Sequence, residues 1–550
     1  MLEDRSAETT AAHAAMEAAP SDGPDFDVLI IGAGFGGMYA LHKLRGAGFR
    51  VRVLEMADGV GGTWYWNRYP GARCDVESIQ YSYSFSRDLE QHWDWSERYA
   101  AQPEILAYAN HVADRFDLRR DMTFNTRVTG AAFDEATRAW RVCTDVGAEY
   151  STRFLITAVG CLSTTNLPDF PDRELFRGPI YHTGDWPRNG VDFTGLRVAV
   201  IGTGSSGIQS IPVIAEQAQE LFVFQRTPNF IVPARNRPLT DDERARVKQS
   251  YAELRAKGRQ RPTGFYFRHN TFGALEVSDE ERERLFDEWW NIGGLPFLGV
   301  FNDLLINPRS NEEAAAFVRR KIREVVKDPA TAELLSPRDI IGCKRLCADT
   351  NYYETFNLQH VRLVDISKQP ITRFCAEGVV VGETSYAVDA IVCATGFDAM
   401  TGTLLKLDLR GRGGLRLADK WEHGPRSYLG LGIAGFPNLF TITGPGSPSV
   451  FANMILAIEQ HVDWIATCLD DMRQRGETLI EAAAADEDAW VAHNADVGAQ
   501  SLRSQCQSWY LGSNVPGKPK VFAPYIGGIP TYQTKIDDIA ADGFRGFRRS

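Results

Sequence analysis

The stretch DVLIIGAGFGGMYALHKLRGAGFRVRVLE, Asp27–Glu55, contains each part of a dinucleotide-binding βαβ unit. A short apolar strand leads into Gly32-x-Gly34-x-x-Gly37, a helical pattern follows, and a second strand ends at Glu55. A lone GxGxxG is weak evidence, but this context makes it specific. The glycines allow the amides of a helix N-terminus to approach a pyrophosphate, and the Glu55 carboxylate can accept hydrogen bonds from ribose hydroxyls. A βα turn without a ligand is the alternative.

The same pattern returns in LRVAVIGTGSSGIQSIPVIAEQAQELFVFQRT, Leu196–Thr227, but its second strand ends differently. Arg226 and Thr227 stand where the first unit has an acid. A carboxylate there would repel a 2'-phosphate, whereas an arginine can pair with it, so this site is predicted to prefer NADP over NAD. A surface arginine without a ligand is the alternative for Arg226. The glycines of this loop are Gly202, Gly204 and Gly207.

Two Rossmann-like units with different ribose signatures predict an α/β protein that binds FAD at the first unit and NADPH at the second. Two further apolar stretches end in small residues, RFLITAVGCLS at 153–163 and VDAIVCATGFD at 388–398, and both look like the chain crossing back to the first domain. We therefore predict a discontinuous FAD domain at 25–165 and 385–550, with an NADP domain at 166–384 between its two parts.

A charged helical stretch at about 240–337 interrupts the predicted NADP domain. It contains two candidate capping boxes, Thr240 to Glu243 and Ser278 to Glu281, each typical of a helix N-terminus. We predict a helical insertion with two open roles, a cap over the substrate or a solvated surface element.

Composition excludes several classes of partner. The 550 residues carry a formal net charge of -11, and no basic stripe exists that could bind a phosphate backbone. No apolar run is long enough to cross a bilayer, and the first 24 residues read as a disordered tail without the features of a signal peptide. The nine cysteines include no CxxC pair and no zinc set, since the closest pair, Cys343 and Cys347, has three residues between. A reducing cytoplasm is the simplest compartment, with no bound metal.

A family resemblance rests on Phe176-x-Gly178-x-x-x-His182-x-x-x-Trp186-Pro187, which lies between the two glycine loops. It resembles the fingerprint of the type I Baeyer-Villiger monooxygenases, FAD and NADPH enzymes that insert oxygen next to a ketone carbonyl. The resemblance extends from Asp27 onward and is closest to the branch of phenylacetone and steroid monooxygenases. Its other motifs are GGTWYWNRYPGARCD, KRL, ATGFD, GPGSPSVFANM and SWYLGSNVPGK.

The resemblance implies roles for the residues of these motifs. Arg345 would be the cation beside a C4a-peroxyflavin, and an arginine suits that role because it does not lose its proton. Asp75 would hold Arg345 in place, although a turn-capping aspartate is the alternative. Lys344 would reach the 2'-phosphate of NADP together with Arg226 and Thr227.

The fingerprint itself joins the two domains. We expect Gly178 and Trp186 to make it rigid and His182 to act as a hydrogen-bonding latch that couples domain movement to catalysis, with a buried structural histidine as the alternative. Trp509 would reach the NADP ribose from a mobile C-terminal loop. Trp64 would provide a flat apolar surface against flavin and substrate. The residues expected to line the ketone pocket are Ser449, Val450 and Phe451.

The predicted reaction is the NADPH- and O2-dependent conversion of a small-molecule ketone to an ester or lactone. An N- or S-oxygenating flavin monooxygenase is the alternative, because it shares the architecture. A flavin disulfide reductase would need a cysteine pair that Cys74, Cys143 and Cys161 do not provide. A non-catalytic redox sensor would bind both cofactors without oxygenating a ketone. Composition and motifs do not name the ketone or the oligomeric state.

Overall fold

The computed structural model describes residues 23–550. Two large β-sheets, each with parallel strands at its centre, form the framework of this part of the chain. The predicted tail at 1–24 lies outside the described residues except for its last two positions. The strands are β1 (Phe26–Ile31), β2 (Val51–Leu54), β3 (Met122–Thr123), β4 (Val128–Asp134), β5 (Ala139–Thr144), β6 (Glu149–Thr157), β7 (Ile180–His182), β8 (Arg197–Ile201), β9 (Glu220–Gln225), β10 (Ile231–Pro233), β11 (Cys347–Asp349), β12 (Val361–Asp365), β13 (Ile371–Cys375), β14 (Gly378–Val381), β15 (Thr384–Ala387), β16 (Ala390–Cys393), β17 (Asp408–Arg410), β18 (Gly432–Ile433), β19 (Phe436–Thr441), β20 (Ile480–Ala482) and β21 (Phe547–Arg549).

The α-helices follow the strands in the usual alternation of an α/β protein. They are α1 (Phe35–Gly46), α2 (Thr63–Trp66), α3 (Arg87–His92), α4 (Gln102–Arg115), α5 (Ser205–Ala215), α6 (Asp241–Arg259), α7 (Asp279–Ile292), α8 (Pro308–Val325), α9 (Pro329–Leu335), α10 (Tyr352–Thr355), α11 (Gly402–Lys406), α12 (Leu417–Lys420), α13 (Met454–Arg475), α14 (Ala484–Ala499) and α15 (Ile529–Ala541). None of the helices in residues 23–550 is both long and apolar enough to cross a bilayer.

The first sheet contains the strand–loop–helix unit at Asp27–Glu55. Its order is β17-β4-β5-β6-β1-β2-β3, with β19 beside β6 and β18 beside β19. The strand β1 lies parallel to both β2 and β6, and Val28, Leu29 and Ile30 have no exposed surface. Such a continuous apolar run is typical of a strand that is covered on both faces. Helix α13 packs against α1, which brings the C-terminal part of the chain into this domain.

The second sheet contains the Leu196–Thr227 unit and is parallel throughout, in the order β12-β9-β8-β16-β7. The strand β16 pairs with β8 and β7 here, so the boundary predicted at residue 385 was placed too early. Only after Cys393 does the chain return toward the first domain, where Thr165 and Phe397 form an isolated bridge. The two α/β units and the discontinuous first domain confirm the predicted fold class.

Helices α6 to α9 form the helical stretch predicted at about 240–337. Thr240 and Glu243 make a complete capping box, in which each side chain bonds to the other residue's backbone N–H. Ser278 accepts from the backbone of Glu281 at 3.2 Å, but the Glu281 carboxylate pairs with Arg284 instead of closing a second box. The insertion starts and ends in a small two-stranded sheet, β10 with β11, and the second of these strands follows the KRL motif directly.

Candidate active site

Arg345 lies just before β11 and is held by the first domain. Its Nε and Nη2 atoms donate to Oδ2 and Oδ1 of Asp75 at 2.7 and 2.9 Å. Its Nη1 atom donates to the backbone carbonyl of Val450 at 2.7 Å. A bidentate carboxylate fixes both the position and the plane of a guanidinium group. The fold therefore brings together three predicted site residues that lie far apart in the sequence.

The Arg345 guanidinium is a permanent cation. Burial on its own would lower its pKa, but the Asp75 carboxylate outweighs that effect and raises the pKa above the ordinary arginine value. The Arg345 side chain keeps 19% of its surface exposed, so the charge can still be approached. The arrangement can stabilise an anionic oxygen without any proton transfer.

A second cationic group forms at the NADP-type unit. Burial lowers the pKa of Lys344, and the nearby positive charge of Arg226 lowers it further. The Lys344 ammonium has one weak ion pair, to Asp339 at 3.4 Å. Thr227 is held beside the glycine loop, because its carbonyl accepts from the Thr203 hydroxyl at 3.1 Å. Two cations that repel each other beside a helix N-terminus suit a phosphate.

The first glycine loop turns so tightly that the backbone of Gly37 packs against the carbonyl group of Gly32. A Cβ atom on Gly37 would lie 1.8 Å from the Gly32 carbonyl oxygen, so only glycine allows this turn. Glu55 is buried and accepts from the backbone N–H groups of Ala33 and Ala57 at 2.6 and 2.8 Å. Burial raises the pKa of Glu55, while these hydrogen bonds act in the opposite direction. Glu55 thus orders the loop, and its remaining lone pairs can serve a ribose.

Gly34 and Trp64 lie close to this loop. Gly34 is the N-cap of α1 and approaches the backbone of Gly62, so the loop packs directly against the start of the GGTWYW motif. Trp64 is buried and donates from Nε1 to the Tyr81 hydroxyl at 3.1 Å. The hydrogen bond to Tyr81 fixes the Trp64 ring, which suits the predicted role of Trp64 as a flat apolar wall of the site.

His182 links β7 to the two segments that connect the domains, one at Asn166 and the other at Thr395. Its Nδ1 atom accepts from the Gly184 N–H at 3.0 Å, so the proton of the neutral ring is on Nε2. That Nε2 atom lies 3.3 Å from the Thr395 hydroxyl, which donates to the Asn166 carbonyl at 2.6 Å. Burial lowers the pKa of His182 and favours this neutral form. The imidazole therefore connects β7 to Thr395 directly and to Asn166 through the Thr395 hydroxyl.

Gly178 and Trp186 hold the ends of the fingerprint. A Cβ atom on Gly178 would lie 2.3 Å from the Asp389 carbonyl oxygen, so the strand can approach β16 only with glycine at this position. Trp186 is buried against the rings of Tyr181 and Phe193. The fingerprint is thus rigid on both sides of His182.

The C-terminal SWYLGSNVPGK segment docks against the second crossing. The Lys518 ammonium contacts the Asp398 carboxylate at 2.5 Å. Asn514 donates to the Phe397 carbonyl at 2.8 Å, and the Phe397 ring packs edge-on against His182. The loop and the fingerprint histidine therefore meet the same short segment.

The pocket residues predicted from GPGSPSVFANM fall into two groups. Val450 and Phe451 are partly exposed, and Val450 is the residue that accepts from Arg345. The ring centres of Phe451 and Tyr510 are 4.0 Å apart, and the Tyr510 ring packs in turn against Trp509 in a tilted arrangement with centres 3.8 Å apart. Ser449 has no exposed surface, and its place in the ketone pocket stays a prediction. It is covered in the tight turn that precedes α13.

Three functional features were missed from the sequence. Tyr510 lies in the SWYLGSNVPGK motif, which predicts no role for it, although it is buried beside Arg345 and Phe451. Arg503 stands alone in the polar stretch SLRSQCQ, which carries no recognisable signal. Cys343 and Cys506 form a disulfide although they are 163 residues apart, and short cysteine spacings in the sequence give no sign of it.

Comparison with characterised proteins gives a consistent result. A family model described as an NAD(P)-binding Rossmann-like domain matches residues 30–96, which include the first glycine loop. A Baeyer-Villiger monooxygenase of Pseudooceanicola batsensis is 42% identical over 96% of this chain and 97% of its own length. A phenazine N-monooxygenase of Lysobacter antibioticus is 40% identical over 96% of this chain and 97% of its own length.

Two solved structures extend the similarity to the whole fold. An oxidized steroid monooxygenase bound to NADP is 53% identical, covers 95% of this chain and 99% of its own, and superposes with a TM-score of 0.91. A monooxygenase abbreviated OTEMO, in complex with FAD and NADP, is 39% identical and covers 96% of this chain and 100% of its own, with a TM-score of 0.93.

Proposed function

Because the chain belongs to the Baeyer-Villiger monooxygenases, we propose that Arg345, held by Asp75, is the catalytic cation with which it oxidises its own ketone substrate. As a member of this family the protein is an FAD- and NADPH-dependent enzyme that uses O2 to convert a ketone to an ester or lactone. The observation that carries the proposal is the bidentate pair between Arg345 and Asp75.

The residues of both dinucleotide units fit their cofactors. Helices α1 and α5 have no acidic residue in their first turn, so neither helix N-terminus repels a pyrophosphate. The buried Glu55 stands at the ribose position of the FAD unit, while Lys344 and Arg226 supply the positive charge that a 2'-phosphate requires. When bound, the two cofactors supply the electrons and the activated oxygen.

Arg345 acts on charge that develops during the reaction. Attack on a ketone carbonyl moves negative charge onto the carbonyl oxygen, and a fixed cation in a partly buried site stabilises that charge without reorganising. Asp75 and the Val450 carbonyl orient the guanidinium, so they are positioning groups. Lysine would offer the charge but not the two parallel hydrogen bonds.

The substrate class follows from the wall of the site. The Val450 carbonyl contacts Arg345, and the ring of Phe451, the next residue, packs against Tyr510, so we expect apolar side chains on this side of the site to suit the apolar part of a ketone. The 53% identity with a steroid monooxygenase supports a substrate of that size or an aryl-alkyl ketone. The proposed location is the cytoplasm, which the seven free cysteines of residues 23–550 support and the single disulfide, Cys343–Cys506, counts against.

Turnover under 18O2 tests the proposal. We expect one ester or lactone per NADPH, with one labelled oxygen, when the holoenzyme is given phenylacetone, cyclohexanone or a 3-oxo or 20-oxo steroid. An aryl methyl sulfide and phenazine are run beside the ketones, because one relative is a phenazine N-monooxygenase. Oxides from these compounds without ester from any ketone would favour the N- or S-oxygenating alternative and contradict the proposal.

A further inference from the structure

Arg503 is a partly buried cation that lacks a counter-ion among residues 23–550. It lies in a short 3-10 turn, Leu502–Gln505, between α14 and the C-terminal loop. Its Nε atom donates to the Gly342 carbonyl at 3.0 Å. In residues 23–550, no acidic side chain forms an ion pair with it, and its two terminal nitrogens have no hydrogen-bond acceptor. A charge that loses much of its hydration is normally paired in a protein, so this partly buried guanidinium requires an explanation.

The packing around Arg503 directs it toward the substrate wall. Its guanidinium lies 4.1 Å from the centre of the Phe451 ring, and the ring of Tyr510 approaches Phe451 within 4.0 Å. The Tyr510 hydroxyl is also buried without a hydrogen-bond partner. Two polar groups beside one apolar ring thus lack acceptors. An oxyanion placed at Phe451 would supply the acceptor that Arg503 lacks.

Several contacts hold Arg503 in this position before any ligand binds. The disulfide between Cys343 and Cys506 links its segment to the loop that carries Arg345. The backbone N–H of Leu502 donates to the Leu305 carbonyl at 2.9 Å, which anchors the turn to the helical insertion. A group positioned from both sides loses little freedom when it binds a ligand.

The local charge balance favours an anion. Burial lowers the pKa of Arg503 to about 10, and the positive charge of Arg345 contributes in the same direction, yet the side chain remains charged at neutral pH. Asp75 is the carboxylate that offsets these two arginines, and it is already committed to Arg345. One positive charge is therefore left unbalanced at the site.

We propose that Arg503 forms a subsite for an anionic group carried by the substrate, so that the enzyme prefers a ketone with a carboxylate remote from the reacting carbonyl. This inference rests on the proposed function and adds a substrate class to it. The phosphates of NADP are the other source of such an oxyanion. The proposed function assigns those phosphates to Lys344, Arg226 and the N-terminus of α5, whereas Arg503 adjoins Phe451.

Matched ketones test the subsite in the wild-type holoenzyme. 4-(2-Oxopropyl)benzoate, its methyl ester and phenylacetone share the reacting methyl ketone and differ in charge. We expect kcat/KM for the carboxylate to exceed that of the methyl ester by about 10- to 100-fold, the range expected for a charge-assisted hydrogen bond. This advantage should shrink as ionic strength rises. A carboxylate that is no better than its ester would overturn the proposal without any variant.

Substitution then assigns the preference to Arg503. Arg503→Met should abolish the carboxylate advantage and leave the methyl ester within about threefold, while Arg503→Lys should restore part of it. Arg338→Met removes an exposed arginine and is the matched control. A raised KM for NADPH with an unchanged carboxylate-to-ester ratio would assign the residue to the cofactor and contradict the subsite.

A binding measurement tests the subsite without relying on turnover. Calorimetric titration of 4-(2-oxopropyl)benzoate into the NADP+-loaded holoenzyme should show tighter binding to wild type than to Arg503→Met, with equal binding of the methyl ester. If no ketone yields ester although the carboxylate binds through Arg503, the proposed function fails and the subsite stands. If ester forms but binding does not depend on Arg503, the subsite fails and the proposed function stands.

Discussion

Lys344 and Arg345 are neighbours in the chain, yet their side chains enter different sites. The guanidinium of Arg345 is fixed by the Asp75 carboxylate. The ammonium of Lys344 lies near Arg226 and has only a weak contact to Asp339. At the scale of single residues, the proposed roles would make one dipeptide the link between the cofactor that supplies hydride and the cation that acts on the ketone.

Lys344 and Arg226 should decide the choice of NADPH over NADH. We expect Lys344→Met and Arg226→Met each to raise KM for NADPH by about 10- to 100-fold, because each removes a charge-assisted contact to the 2'-phosphate. KM for NADH should change by less than about threefold, since NADH lacks that group. Steady-state kinetics with both nucleotides measure the effect, with Arg338→Met as control. Equal losses for the two nucleotides would show that the cations act on something other than the 2'-phosphate.

Among the structural elements, the two segments that connect the domains are where we expect the coupling between them to lie. The hydrogen-bonded path runs from His182 through Thr395 to Asn166, and the C-terminal loop meets the same segment through Phe397 and Asn514. A shift of either domain therefore reaches both the fingerprint and the loop. This geometry gives a physical basis to the latch role expected for His182.

His182→Ala should impair turnover more than cofactor binding. The substitution removes an acceptor from Gly184 and a donor to Thr395 but touches neither glycine loop. We expect kcat to fall by about tenfold or more and H2O2 per NADPH to rise, while FAD content stays at the wild-type level. His92→Ala changes an exposed histidine and serves as control. Normal turnover with intact coupling would rule out the latch.

Local patterns allowed much of the element structure to be predicted. Both glycine loops, the insertion and the Thr240 cap depend on residues close in sequence, and the structure contains all of them. The strand at 390–393 was assigned to the wrong sheet, because AIVCATG resembles the first-sheet stretch LITAVG in its apolar residues and small ending. Sequence alone does not tell which sheet a buried parallel strand joins.

Some residues of the candidate site could be predicted from the sequence and others could not. Arg345 and Asp75 could be named because motifs carry them, and their contact fits the expectation. Arg503 and the Cys343–Cys506 disulfide could not, since they depend on how the C-terminal turn packs against residues about 160 positions earlier. Such long-range contacts leave no periodic signal in a single sequence.

At the scale of the whole molecule, one buried histidine makes stability depend on pH. His461 has no exposed surface, accepts from the Thr443 N–H at 3.0 Å through Nδ1, and leaves Nε2 without a partner. Burial lowers its pKa from 6.5 to about 3. Below pH 6.5 the unfolded chain binds a proton that the native protein refuses, so stability is lost as the pH falls from 6.5 toward 3.

His461→Gln should reduce this acid sensitivity. Glutamine keeps an acceptor for the Thr443 N–H but does not titrate, so the variant lacks one proton-linked contribution of about 1 kcal/mol per pH unit. Urea unfolding of the holoenzyme at pH 7 and pH 5 provides the comparison. We expect a smaller drop in midpoint for the variant than for wild type. Identical drops would show that His461 is not responsible.

Arg345 follows the insertion and binds Asp75 of the first domain, so the product formed per NADPH when Arg345 is replaced tests its proposed role most directly. Ester formed per NADPH consumed should be measured for wild type, Arg345→Lys and Arg345→Met at equal FAD content. We predict that Arg345→Met still binds both cofactors but forms ester at least about 100-fold more slowly, the usual cost of losing an electrostatic stabiliser, with H2O2 as the product of any NADPH oxidation. Arg345→Lys should fall between. Ester formation by Arg345→Met at the wild-type rate and ratio would contradict the role assigned to Arg345.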